Sequence, residues 1–188
     1  MKKSAGKVLP RDFYARDAAT VAKDLLGKIL IKGDTAGIII ETEAYPGGDD
    51  LASHSAAGLT NRTRAIFGPP GHAYVYFCYG MHTCMNIVAS PDGVAGCVLI
   101  RALEPVQGHE LMRNRRTRAK TDKDLASGPA KLTQAMGITL DDYGVDLTHG
   151  EFIVRYPVAP VEMEIDVTPR IGISKCADLP LRFVARLR

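Results

Sequence analysis

The four cysteines, Cys78, Cys84, Cys97 and Cys176, include no C-x-x-C pair. A disulfide framework is therefore not expected in a chain this large and apolar, and small buried thiols are. No run approaches the roughly 18 apolar residues of a membrane helix. No apolar core follows the basic start Met1-Lys2-Lys3, so no signal peptide is read. The expectation is an intracellular protein of the cytoplasm or nucleoid, or of the nucleus if the source is eukaryotic. Neither G-x-G-x-x-G nor G-x-x-x-x-G-K-[ST] occurs, so nucleotide-cofactor readings lose their usual support and no cofactor is expected. H-x-x-x-H is also absent. His54, His72, His82, Cys78 and Cys84 are ligand types, but their spacings match no closed zinc pattern, and no metal is expected.

What is present is an ordinary globular composition. The 188 residues are 46% hydrophobic and 24% charged, the size and balance of one domain, read as 1–188. The net charge of +3 is too small to imply nucleic acid, but its distribution is uneven. Lysine and arginine are absent from Gly33 to Asn61, where Asp34, Glu41, Glu43, Asp49 and Asp50 fall. Six bases crowd Arg113 to Lys123, opposed only by Asp122. A basic surface beside an acidic segment suits an enzyme acting on a polyanion, but charge alone favours the blander reading of a solvated loop of mixed charge.

Asp17 can cap a helix running to about Leu26, which Gly27 stops. Lys28 to Lys32 and Gly37 to Tyr45 read as strands about a turn. A long irregular stretch, Pro46 to Gly71, follows; loops of that length are usually functional. Ala73 to Cys78, Met81 to Val88 and Cys97 to Leu103 read as strands, with a turn at Tyr79-Gly80. Gln107 to Arg116 and Pro129 to Met136 read as helices. Further strands are read at 152–156, 161–167 and 181–187. Strands outnumber helices and mostly follow one another. The expected fold is α+β: a single domain with a curved, mixed or antiparallel sheet, a protruding β-hairpin and surrounding helices.

Glu41, Glu43 and Tyr45 share one face of their strand by its period of two. Either the strand emerges there into water, or it carries polar groups to a site. Tyr74, Tyr76 and Tyr79 crowd six positions. They pack a core, or they stack on bases with Tyr79 as a wedge at the hairpin tip. Asn86 lies in an apolar strand, where its amide needs partners: it is a structural bridge or a specificity reader. His54, alone in Ser53-His54-Ser55, has a structural reading as well as a catalytic one.

Several of these segments together resemble the alkyladenine (3-methyladenine) DNA glycosylase family. They are Ile40-Glu41-Thr42-Glu43-Ala44-Tyr45, Ser53-His54, Gly58-Leu59-Thr60-Asn61-Arg62 and the run from Tyr74 to His82. Met85-Asn86-Ile87, Val98 to Pro105, Ser127 to Leu132, Arg170 to Ile173 and Pro180 to Phe183 extend the likeness along nearly the whole chain. Ile66-Phe67 stands where Met-Phe is expected. The resemblance implies a monofunctional glycosylase that flips alkylated or deaminated purines (3-methyladenine, 7-methylguanine, hypoxanthine, ethenoadenine) from double-stranded DNA and hydrolyses the glycosidic bond. It implies Glu43 as general base, with Arg101 helping to hold the water. It implies a base pocket walled by Tyr45 and His54 on one side and Tyr76 on the other, and Asn86 set against the 2-amino group of normal guanine. Tyr79, with Met81 beside it, would fill the gap left in the duplex. A monomer with no membrane association is expected. A non-catalytic duplex-binding module and a carboxylate-dependent nucleoside hydrolase are the alternatives.

Overall fold

The computed structural model describes residues 6–78, 80–91 and 93–188. Its organising element is an eleven-residue strand, β2 (Thr35–Tyr45), which β5 (Cys97–Gln107) follows along one edge. The other edge of β2 is divided. β1 (Ile29–Lys32) pairs with its first part, and β8 (Arg182–Leu187) pairs with Glu41–Glu43. β6 (Phe152–Arg155) extends the sheet beyond β1, and β7 (Met163–Thr168) pairs with β8. Beyond β5 lie β4 (His82–Val88) and then β3 (Ala73–Cys78), joined as a hairpin. Every pairing among the described residues is antiparallel, so of the two expected arrangements it is the antiparallel one that forms.

Among the described residues five short helices accompany the sheet: α1 (Arg11–Tyr14), α2 (Ala18–Asp24), α3 (His109–Arg115), α4 (Asp122–Leu125) and α5 (Pro129–Met136). Asp17 caps α2 as expected, its carboxylate accepting from the Ala19 and Thr20 amides. Val21, Met112, Leu125, Leu132 and Met136 from the helices bury against Ile39, Val75, Met85, Ile87, Val98 and Ile100 of the sheet in one core cluster. The helices therefore cover one sheet face. Among the described residues no helix is long and apolar enough to cross a membrane.

The opposite face is shaped by a pair of bulges. Ile39 pairs with Leu103 and Glu41 with Ala102, so Ile40 is extra on β2; Thr42 then pairs with Ile100, so Arg101 is extra on β5. The parity of β2 changes there. Ile39 is core before the irregularity, and Thr42 and Ala44 are buried toward α2 after it, with the Thr42 hydroxyl donating to the Ala22 carbonyl. In an uninterrupted strand Glu41, Glu43 and Tyr45 would follow Ile39 into the helical core. The bulges turn them to the other face and aim Arg101 at them. A third irregularity explains why β5 runs four residues past its expected end at Leu103. Pro105 sits opposite Gly37 at a register shift, where a missing amide is tolerated. A Cβ on Gly37 would lie 2.8 Å from that of Leu103, so the close strand approach needs glycine.

The 46–71 stretch is not structureless. Single 3-10 turns form at His54–Ala57 and Arg64–Phe67 and fold the segment against the sheet.

Candidate active site

A cavity of about 500 Å³ opens on the sheet face opposite the helical core. Its floor comes from alternate residues of four neighbouring strands: Tyr45, Tyr74 and Tyr76, Cys84 and Asn86, and Cys97, Leu99 and Arg101. His54 and Arg62 of the long loop, Pro129 at the start of α5, and Ile171 to Ile173 supply its rim.

Glu43 lies one layer beneath, and its side chain has no exposed surface. Its Oε1 accepts from the Ile171 amide at 2.8 Å and its Oε2 from the Tyr45 hydroxyl at 2.9 Å. Arg101 Nη1 lies 3.2 Å from Oε2. The three groups that hold Glu43 line the cavity, whereas Glu43 itself is screened from it. Arg101 Nε donates to Glu41 Oε1 at 2.8 Å, and Arg182 Nε reaches the same oxygen at 2.7 Å. Two carboxylates and two guanidiniums thus alternate beside the cavity. Burial works against the Arg101 cation, but the charges of Glu43 and Glu41 outweigh it and raise its pKa. Burial, aided by Glu43, pushes the Tyr45 hydroxyl far above the ordinary range, so Tyr45 stays a donor.

The aromatic part is contiguous. Tyr74 and Tyr76 stack with centroids 5.4 Å apart, and Tyr74 forms a small buried cluster with Val88, Cys97 and Ile66, against which Tyr76 packs. Ile66, the departure from the expected Met, is fully buried there. His54 Nδ1 lies 2.8 Å from the Tyr74 hydroxyl, and its ring meets Tyr76 edge-on at 4.6 Å. The two rings therefore touch and do not face each other across a gap. The exposed Arg62 lies over Tyr76, 5.1 Å from its centroid. Burial and the Arg62 charge lower the His54 pKa, so the imidazole is neutral at pH 7. Burial pushes Tyr74 up to about 12 and the Cys97 thiol up to about 12. Asn86 is buried, with Nδ2 donating to the Tyr74 carbonyl at 3.2 Å and Oδ1 accepting from Cys97 Sγ at 3.8 Å.

Glu43, Tyr45, His54, Tyr76, Asn86 and Arg101, which the sequence scatters over 59 positions, meet at this one place. Met81 does not join them; it stands 71% exposed at the hairpin tip. Tyr79 lies outside the described residues. The residue reading missed Ile171, whose contribution is a backbone amide, and Arg182, whose strand was seen but not its neighbour. It also missed Arg170, fully covered beneath Tyr45. Arg170 and Ile171 entered the sequence reading only as part of the resemblance.

The methylpurine-DNA glycosylase family model matches residues 12–187. A protein of Methanoculleus marisnigri is 54% identical over 183 residues, covering 93% of both chains. One from Carboxydothermus hydrogenoformans is 50% identical over 94% of each. A third, from Koribacter versatilis, is 48% identical over 94% of this chain and 88% of its own. All three bear the name "Putative 3-methyladenine DNA glycosylase". The chain belongs to the methylpurine-DNA glycosylase family and is a DNA glycosylase, a hydrolase of N-glycosyl bonds.

Proposed function

We propose that the cavity receives a damaged purine turned out of duplex DNA, and that Glu43 is the general base of its hydrolytic release. The observation that carries this reading is the Glu43 carboxylate, held by Arg101, Tyr45 and the Ile171 amide directly under an aromatic cup. Eversion is required because the glycosidic carbon is out of reach inside the stack. A base entering the cup meets Tyr45 and takes the place of the exposed Arg62 on Tyr76. Displacing the Tyr45 hydroxyl from Oε2 opens Glu43 to a water.

That water adds its oxygen to the sugar C1′, and Glu43 takes the proton. The base leaves with the electron pair of the broken C–N bond. The products are a free base and an abasic sugar. N-alkylated purines such as 3-methyladenine and 7-methylguanine are cationic and leave without further help. An aromatic cup favours such rings through cation–π attraction. Hypoxanthine and ethenoadenine are neutral and need a proton delivered to the leaving base. General base catalysis contributes about 10²–10⁴-fold. Positioning and electrostatics supply the remainder.

Asn86, against the cavity wall, is the proposed discriminator against the 2-amino group of guanine. Tyr79 and Met81 are the proposed wedge. A monomer is the proposed form, because an enzyme gripping a duplex needs an open basic face.

The test is incubation with duplexes carrying one 7-methylguanine, hypoxanthine or ethenoadenine, followed by alkaline cleavage of abasic sites. Glu43→Gln keeps the shape but takes no proton. It is expected to abolish excision while lesion-duplex binding stays within about 1 kcal/mol. Glu41→Gln is expected to lose less, since Glu41 acts on Arg101 and Arg182 and not on water. Normal excision by Glu43→Gln with a dead Glu41→Gln would reverse the two assignments.

A further inference from the structure

Arg170 belongs to no helix or strand, yet its side chain is fully covered, as is 98% of that of its partner Asp50. Four oxygen contacts converge on its two terminal amines. Nη1 donates to Asp50 Oδ2 at 2.6 Å and to the Ala44 carbonyl at 3.1 Å. Nη2 donates to Asp50 Oδ1 at 2.8 Å and to the Cys176 carbonyl at 3.2 Å. The guanidinium carbon lies 4.7 Å from the Tyr45 ring centroid. The next residue is Ile171, whose amide donates to Glu43. One side chain thus ties together the end of β2, the Gly47–Asp50 turn and the 169–180 segment. It does so where the Tyr45 ring and the Glu43 carboxylate meet.

A buried ion pair is a poor source of stability, because desolvation offsets most of the Coulomb attraction and packed apolar residues often do as well. A guanidinium offers direction instead. Its planar fork fixes it on a carboxylate, and its flat face fits an aromatic ring. Direction matters here, because small displacements of a reacting group cost large factors in rate. We propose that Arg170, held by Asp50, is a positioning residue of the reaction: it fixes the Tyr45 ring and, through the Ile171 amide, the Glu43 carboxylate, without touching substrate. The proposal rests on the roles given above to Glu43 and Tyr45.

Two variants test it on a duplex carrying one 7-methylguanine, in single-turnover excision below the unfolding temperature, with rates normalised to folded protein by circular dichroism. Arg170→Lys keeps the charge and loses the fork and the flat face. Asp50→Asn keeps the shape and loses the counter-charge; it decides alone should Arg170→Lys not fold. Both are expected to slow excision about tenfold or more, while the lesion-duplex dissociation constant moves less than about threefold. A lowered melting temperature with an unchanged rate per folded molecule would overturn the proposal and leave Arg170 a structural pin. Glu43→Gln runs alongside. If it excises normally, the general-base assignment fails and takes this proposal with it. If it is inactive while both test variants are normal, only the positioning role fails.

Discussion

Asn86 has both ends of its amide engaged, on the Tyr74 carbonyl and the Cys97 thiol, and still borders the cavity. The bridge and the discriminator are therefore the same residue. Asn86→Ala is expected to cost about 1–3 kcal/mol in urea unfolding, the penalty for a carbonyl left without its donor. It is also expected to release undamaged guanine slowly from duplex DNA. Lost stability with no guanine release would leave Asn86 a bridge alone. His54 carries a pH effect of definite sign. Its folded pKa lies below the ordinary 6.5, through burial first and Arg62 second. The unfolded chain then binds more protons between the two values, so this contribution is present above about 6.5 and is lost as pH falls through the folded pKa. The melting temperature should fall on acidification below 6.5, and less so in His54→Gln. An imidazole found by nuclear magnetic resonance to titrate above 6.5 would contradict the assignment.

At the scale of elements, the bulge region of β2 is the most sensitive point. Gly37→Ala drives a methyl to within 2.8 Å of the Leu103 Cβ and 3.2 Å of the Glu104 carbonyl, both in a buried strand pair. A loss of about 1–3 kcal/mol is expected, the usual cost of overpacking, seen as a lower urea midpoint at unchanged slope. An unchanged midpoint would mean that the strands separate freely there. The same region shows what a sequence displays and what it hides. α2 and α5 were legible because Asp17, Pro129 and Gly137 mark their ends, although α2 closes at Leu25, two residues before the expected stop at Gly27. β3 was legible to the residue from its alternating tyrosines. Alternation also put Glu41, Glu43 and Tyr45 together. It could not say which side of the sheet they face, because that depends on the extra residues Ile40 and Arg101, and a bulge is a property of two strands. The run of β5 past Leu103 was hidden because the register shift opposite Gly37 belongs to two strands. The 3-10 turns of the long loop and the Arg170 contacts have no period to read. The tail that holds Arg170 was visible only through resemblance.

For the whole molecule, the placement of amines decides which products form. Cleaving the sugar–phosphate backbone after base release needs an amine that attacks C1′ to form a Schiff base. No lysine lies between Lys32 and Lys120, and none of the described lysines lines the main cavity; Lys175 borders a second cavity beyond His54. Borohydride should trap no covalent protein–DNA adduct, and intact abasic sites should accumulate; a trapped adduct lost in Lys175→Ala would reverse this. The basic cluster is less available than its sequence density suggests. Arg113 is paired with Asp122, Arg115 with the Ala135 carbonyl and Arg116 with Gln134. The divided edge of β2 has a last consequence, in the time order of synthesis. Arg182, which begins the strand that pairs with Glu41 and Glu43, is translated 141 residues after Glu41. A ribosome-bound chain that has emerged only through β7 carries Glu43, the tyrosines, Arg101 and Ile165, yet it has neither the Ile171 amide nor β8. Such a chain leaves the Glu41–Glu43 edge of β2 unpaired and lacks the Ile171 and Arg182 contacts on its two carboxylates. Activity therefore arrives late and all at once, and nascent-chain complexes stalled before Arg182 leaves the exit tunnel should be inert toward damaged DNA.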